Sequence, residues 1–176
     1  VKNSLQVIQS YLSLSRQENR RAPVDPVTAM TEARVLVLAN AYRLALSDEG
    51  LQSVSVWQFA EAIIGFLAET LGIRGEDIQL AGQCDDVRLP IDRMMPFGLA
   101  IVEAAGALVH AGTTGRMMVE VTIDADGHVH LRVHAKGAPP DMRLPQRLLA
   151  GLAQQLDAEV LPPLASGVLN WRFRAS

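Results

Sequence analysis

The segment MMVEVTIDADGHVHLRVH, residues 117–134, has two halves of alternating apolar and polar residues around a short turn. Alternation with period two gives each half one apolar and one polar face, the pattern of a half-buried strand. Asp124-Ala125-Asp126-Gly127 joins Met117 to Ile123 and His128 to His134 as a hairpin. Upstream, Asp92 to about Ala111 is the most apolar helix of the chain, and Gly112 to Gly115 turns it into the hairpin. Before it, Ile78 to Ala81 and Val87 to Leu89 read as short strands around a Gly82–Asp86 turn. Val56 to Leu71 reads as a helix capped by Ser55, with Trp57, Ala60, Ile63, Ile64, Leu67 and Leu71 inward and Gly72 ending it. Downstream, Leu144 to Leu156 reads as a helix, and Glu159 to Leu161 and Val168 to Phe173 as closing strands. Residues 51–176 therefore predict an α+β sandwich, a mixed sheet with helices on one face.

The first 50 residues follow a different rule. Val1, Leu5, Ile8 and Leu12 recur at steps of four, three and four, one apolar stripe on a helix that frays after Ser15. Arg16 to Arg21 is wholly polar, and Pro23 and Pro26 punctuate the loop. Asp25 can cap a second helix with Pro26 in its first turn, where a missing N–H costs nothing. Val27, Met30, Ala33, Val37, Ala41 and Leu44 form its stripe, which ends around Ser47. Residues 1–50 thus predict a helical hairpin. A lone hairpin cannot cover both apolar faces, so it pairs with a second copy as a four-helix bundle or packs on its own chain.

Composition narrows the function classes. Apolar residues are 49% of the chain, charged residues 20% and aromatics 5%, with net charge −3. Without a basic stripe or stacking aromatics, a nucleic-acid partner is not expected. Cys84 is the single cysteine, so no disulfide or cysteine metal site forms within the chain, and it reads as an inert thiol suited to the cytoplasm. Met94 to Ala107 is nearly apolar but holds Pro96 and Glu103 and is too short for a membrane span. The chain opens on Val1, which suggests that residues precede it.

His128, His130 and His134 share one strand face, but neighbours two apart are ~6.6 Å apart along a strand, so His128 and His134 cannot share one ion. A solvated strand face is the expected reading, and no metal site is assigned. His110 reads as a helix C-terminal dipole partner or a core histidine. Asp85, Asp86, Asp124 and Asp126 read as turn residues. Trp57 and Trp171 are expected in the core or at the module junction. No nucleophile elbow or phosphate-binding Walker loop is present in the sequence.

Val1-Lys2-Asn3-Ser4-Leu5-Gln6-Val7-Ile8 is similar to the start of a bacterial histidine kinase subclass, whose dimerisation helix opens on the phosphoacceptor His, then Arg, then Val-Lys-Asn-Asn-Leu-Gln. Leu89-Pro90-Ile91-Asp92-Arg93-Met94-Met95-Pro96-Phe97-Gly98-Leu99 resembles that family's lead into its nucleotide-binding helix. The order of elements fits over essentially the whole chain. The resemblance implies a dimerisation hairpin (1–50) followed by an ATPase-like sandwich (51–176). It also implies a homodimer whose phosphoacceptor His stands two positions before Val1, with no catalytic residue inside the window.

The resemblance also marks what has changed. Where the family holds Mg–ATP with Asn-Glu and a second Asn four positions on, this chain has Val102-Glu103 and Ala107, or Gly106 on a one-residue slip. Neither Ala nor Gly offers the hard oxygen donor that magnesium needs. Where the family's Asp-x-Gly turn accepts from adenine, Ala135-Lys136-Gly137 cannot, and an unpaired adenine amine costs roughly 1–3 kcal/mol. The lid has shrunk to Ala138–Pro145, with three prolines in place of phosphate-wrapping N–H groups. Glu103 is then either a relic of the nucleotide site or a boundary residue reaching solvent. The resemblance so read implies a phosphotransferase or pseudokinase exchanging phosphate with a response regulator receiver domain, with no cofactor. Lys2, Asn3, Gln6 and Gln9 are the expected docking residues, and Lys2 could stabilise phosphoryl charge. Two alternatives are a non-catalytic dimeric module that binds a regulator and an ATP-dependent kinase with unorthodox ligands.

Overall fold

The structure, a computed structural model, describes Val7, Ser10 and residues 25–47, 53–113, 115–162 and 167–175. The elements are α1 (Pro26–Ser47), β1 (Ser53–Ser55), α2 (Val56–Thr70), β2 (Ile78–Ala81), β3 (Arg88–Pro90), α3 (Ile91–His110), β4 (Met117–Ile123), β5 (His128–Ala135), α4 (Gln146–Leu156), β6 (Glu159–Val160) and β7 (Gly167–Arg174). The helix starts follow the expected chemistry. Asp25 accepts from the Thr28 N–H at 3.3 Å, and Ser55 Oγ from the Gln58 N–H at 3.3 Å. Gly72, at φ +66, closes α2 in a backbone region that favours glycine.

The main sheet runs β2-β4-β5-β7-β6. β2 lies parallel to β4, and the other neighbours are antiparallel. The β4–β5 hairpin forms as its alternation requires, with Thr122 opposite His130 and Gly127 at φ +80 in the turn. Its inward residues Val119, Val121, Val129, Leu131 and Val133 are fully buried. Phe97 of α3 lies between Phe59 of α2, at 6.4 Å between centroids, and Phe173 of β7, edge-on at 6.0 Å. Helices thus cover one face of a mixed sheet.

Several expectations need correction. Ile78–Ala81 and Arg88–Pro90 do not pair with each other. The first joins β4, while the second pairs with Ser53–Ser55, a strand the pattern did not reveal. Val27 is 71% exposed rather than inward, because it stands in the first turn of α1 at the open cleft between α1 and α3. Phe59, absent from the expected inward face of α2, is fully buried, while Trp57 is only partly covered. Trp171 is buried, as expected.

Val7 and Ser10 are helical and exposed, and the rest of the expected first helix lies outside the described residues. α1 packs against α2 and α3, and its Ala33, Val37 and Ala41 belong to the same core as the sandwich. Gly98 permits this approach. A Cβ there would stand 2.7 Å from Phe59 Cε1 and 2.8 Å from Val37 Cγ1. Cys84 is buried, and that burial, with the nearby Asp85 charge, pushes its thiol up to about 11. Among the described residues, no helix is long and apolar enough to cross a membrane.

Candidate functional site

An open cleft of about 940 Å³ lies where the start of α1, the end of α2, the last turns of α3 and the segment before α4 converge. Met30 and Arg34 line it from α1, Thr70 and Leu71 from α2, Glu103, Gly106, Ala107 and His110 from α3, and Arg143, Leu144 and Pro145 from the last segment. A smaller cavity of about 260 Å³ adjoins it, between Ala107, His110 and Ala111 on one side and Pro139 to Arg143 on the other. Both cavities are made by the short, proline-bearing connection Ala138–Pro145, which holds α4 close to the end of α3.

The cleft's main electrostatic feature is an ion pair. Arg34 Nε donates to Glu103 Oε1 at 2.6 Å and Nη2 to Oε2 at 3.2 Å, the two-pronged geometry in which guanidinium matches carboxylate. Glu103 is only 5% exposed, whereas Arg34 is 44% exposed. A carboxylate buried to that degree needs a partner, since an unpaired charge there costs several kcal/mol. The Glu103 hydrogen bond raises the Arg34 pKa above its ordinary value, against the lowering effect of burial. Glu103 is thus a buried, paired carboxylate, not a boundary residue reaching solvent. Beside it, the end of the Met30 side chain lies over Gly106, where a Cβ would meet Met30 Cε at 2.7 Å.

The residues expected at a degenerate nucleotide site are only partly gathered here. Glu103, Gly106 and Ala107 share the α3 wall of the cleft. Val102 is fully buried in the core. Ala135 is buried at the end of β5, opposite Met117, and Gly137 is exposed in the following turn at φ +81; neither lines the cleft. The expected docking residues Lys2, Asn3, Gln6 and Gln9 lie outside the described residues. His110 is exposed at the last position of α3, which excludes a core histidine and suits the helix dipole. Arg34 was missed. It is one of two arginines on α1, with Arg43, and nothing local points to a partner 69 positions away.

The residues present do not fit a magnesium nucleotide as that fold class would hold it. The carboxylate that would face the metal has both oxygens engaged by Arg34, and Ala107 and Gly106 bring no side-chain oxygen. Far from the cleft, the outer sheet face carries a second network. His130 Nε2 and Arg172 Nε each lie 3.0 Å from Asp124 Oδ2, and His134 Nε2 lies 2.9 Å from Glu120 Oε2. These histidines are half-buried and paired, which corrects the expectation of a solvated face. Asp124, Asp126 and His128 bring ligand atoms within 4.8 Å of one another, but Arg172 already donates to all three.

Comparison with known proteins agrees with this architecture. A family model described as histidine kinase matches residues 1–71. The chain superposes on the histidine kinase domain of the Erythrobacter litoralis EL346 blue-light activated histidine kinase with a TM-score of 0.64 at 20% identity, covering 99% of this chain and 87% of that one. It superposes on the cytoplasmic segment of the histidine kinase QseC with a TM-score of 0.51 at 11% identity, covering 87% of this chain and 98% of that one. No match was found among curated proteins.

Proposed function

We propose that the chain is a sensor histidine kinase core, a reading supported by the match of residues 1–71 to a histidine kinase family model and by its fold, and that it is a dimeric phosphotransfer module that works without ATP. It exchanges phosphoryl groups with the receiver domain of a response regulator in the cytoplasm. The observation that carries this reading is the Arg34–Glu103 pair, which engages both oxygens of the carboxylate where a nucleotide metal would need them. In the resemblance the phosphoacceptor histidine would stand two positions before Val1. The receiver docks on the helical segment bearing Lys2, Asn3, Gln6 and Gln9, and Lys2 offsets phosphoryl charge.

The dimer forms through the helical segment of residues 1–50. On α1, Leu38, Tyr42 and Leu46 are spaced four apart, and all remain exposed on the side turned from the sandwich core. A second copy covers such a stripe in a four-helix bundle.

The test uses the full-length protein. Saturating Mg–ATP at about 100 times a dissociation constant would add roughly 2.7 kcal/mol, a melting shift of about 5–10 °C. No shift is expected. Incubation with phosphorylated receiver domains should leave acid-labile phosphate on the protein. A complex with no phosphate transfer would reduce the protein to a binding module. A nucleotide-dependent shift would make it an ATP-dependent kinase instead.

A further inference from the structure

We infer that Arg34 is a built-in replacement for a metal ion: by forking onto Glu103 it makes α1 the resident ligand of the cleft and latches this helix to the sandwich. The argument starts from position along two helices. Met30 and Arg34 are four apart on α1, and Glu103 and Gly106 three apart on α3, so each pair lies on one helix face. Arg34 meets Glu103 through both oxygens, and Met30 lies against Gly106. The first contact is charged and two-pronged and needs α1 in one register, while the second fills the space over Gly106 with the flexible end of Met30.

A divalent cation on Glu103 would have to share a buried carboxylate with the Arg34 guanidinium, whose positive charge lies against both oxygens. Occupancy of the carboxylate by a metal and seating of α1 therefore oppose each other. Arg34 brings its positive charge to Glu103 on the chain itself, at no cost in assembly of a second molecule. The burial of Glu103 makes the exchange one-sided, because its charge must be matched whenever α1 is lifted. The cleft thus serves as the socket of a brace that sets the direction of α1, the helix carrying the exposed stripe Leu38, Tyr42 and Leu46. This inference does not rest on phosphotransfer, and a failed phosphotransfer assay leaves its readouts unmoved.

Two measurements test it on the full chain. The first is amide hydrogen exchange over residues 29–41 in Arg34→Gln, Glu103→Gln and the double variant. Arg34→Gln should speed exchange roughly tenfold, and the double variant should go no faster than the quicker single variant, since one contact is lost either way. Wild-type rates in both single variants, or factors that multiply in the double variant, would overturn the latch. The second places an oxygen donor on the cleft wall with Ala107→Asn, with and without Arg34→Gln, and measures binding of a fluorescent ATP analogue with Mg²⁺. Nucleotide binding should return only when Arg34 is removed. Equal binding with Arg34 in place would refute the replacement, and if the combined variants do not fold, the exchange cycle still decides.

Discussion

Gly98→Ala and Gly65→Ala make the same chemical change in neighbouring helices and should have opposite effects. Each substitution gains about 1 kcal/mol of helix propensity. At Gly65, on the exposed side of α2, the new methyl meets nothing within 4 Å, so the gain is kept. At Gly98 the methyl would stand 2.7 and 2.9 Å from the Phe59 ring and 2.8 Å from Val37 Cγ1, both fully buried, and neither neighbour is a flexible chain end. Overpacking of this kind costs typically 1–3 kcal/mol. The two variants should therefore differ by about 1–3 kcal/mol. For a chain of this size that is roughly 2–12 °C between melting temperatures, with Gly65→Ala the higher. Urea titration of the same pair should show a shifted midpoint at unchanged slope. Adding Phe59→Leu to Gly98→Ala should be less than additive, because the smaller side chain relieves the clash. If the two glycine variants melt together, or if Gly98→Ala is the more stable, the close approach of α1, α2 and α3 at Gly98 is refuted.

Two further outcomes follow from other parts of the molecule. The Asp124 carboxyl is held well below the ordinary carboxylate range, first by the His128 N–H and then by donors from His130, Arg172 and Asp126, against the opposing effect of burial. Its folded pKa lies below its unfolded value, so its contribution is complete above about pH 5 and is lost as pH falls toward the folded value. Asp124→Asn should lower the urea midpoint at pH 7 and flatten its decline in acid; an unchanged acid slope would sink this account. At the exposed stripe, Leu38→Glu with Tyr42→Glu should shift the full-length protein toward monomer in light scattering while leaving the sandwich's melting transition in place, and a retained dimer would rule the stripe out as the pairing face.

The parts of this fold that could be read from sequence are those governed by near neighbours. The Asp124–Gly127 hairpin, the Asp25 and Ser55 caps and the Gly72 stop each depend on residues within a few positions, and each formed as its pattern required. Pairings set by tertiary approach were not legible. Ile78–Ala81 reads as a strand before the Gly82–Asp86 turn, yet nothing local indicates that it joins Met117–Glu120, beyond a whole helix. Val27 follows the stripe of α1, but the stripe widens toward Leu36 and Ala39 and leaves Val27 outside. At the site, the lack of a side-chain oxygen donor at Gly106 and Ala107 was legible in the sequence. The role of Arg34 was not, because it depends on a carboxylate that only the folded chain brings near.

The parallel pairing of β2 with β4 also orders events during synthesis. As the chain emerges, Ile78–Ala81 has no strand to join until α3 and then Met117–Glu120 have been made, and β6 likewise waits for β7. Through that interval a short apolar ribbon stands with open backbone groups, a template that another nascent chain could join. Assembly of the sheet is therefore gated by the docking of α3, and a mutation that slows this docking should raise the yield of aggregated protein in cells even if the finished molecule is no less stable.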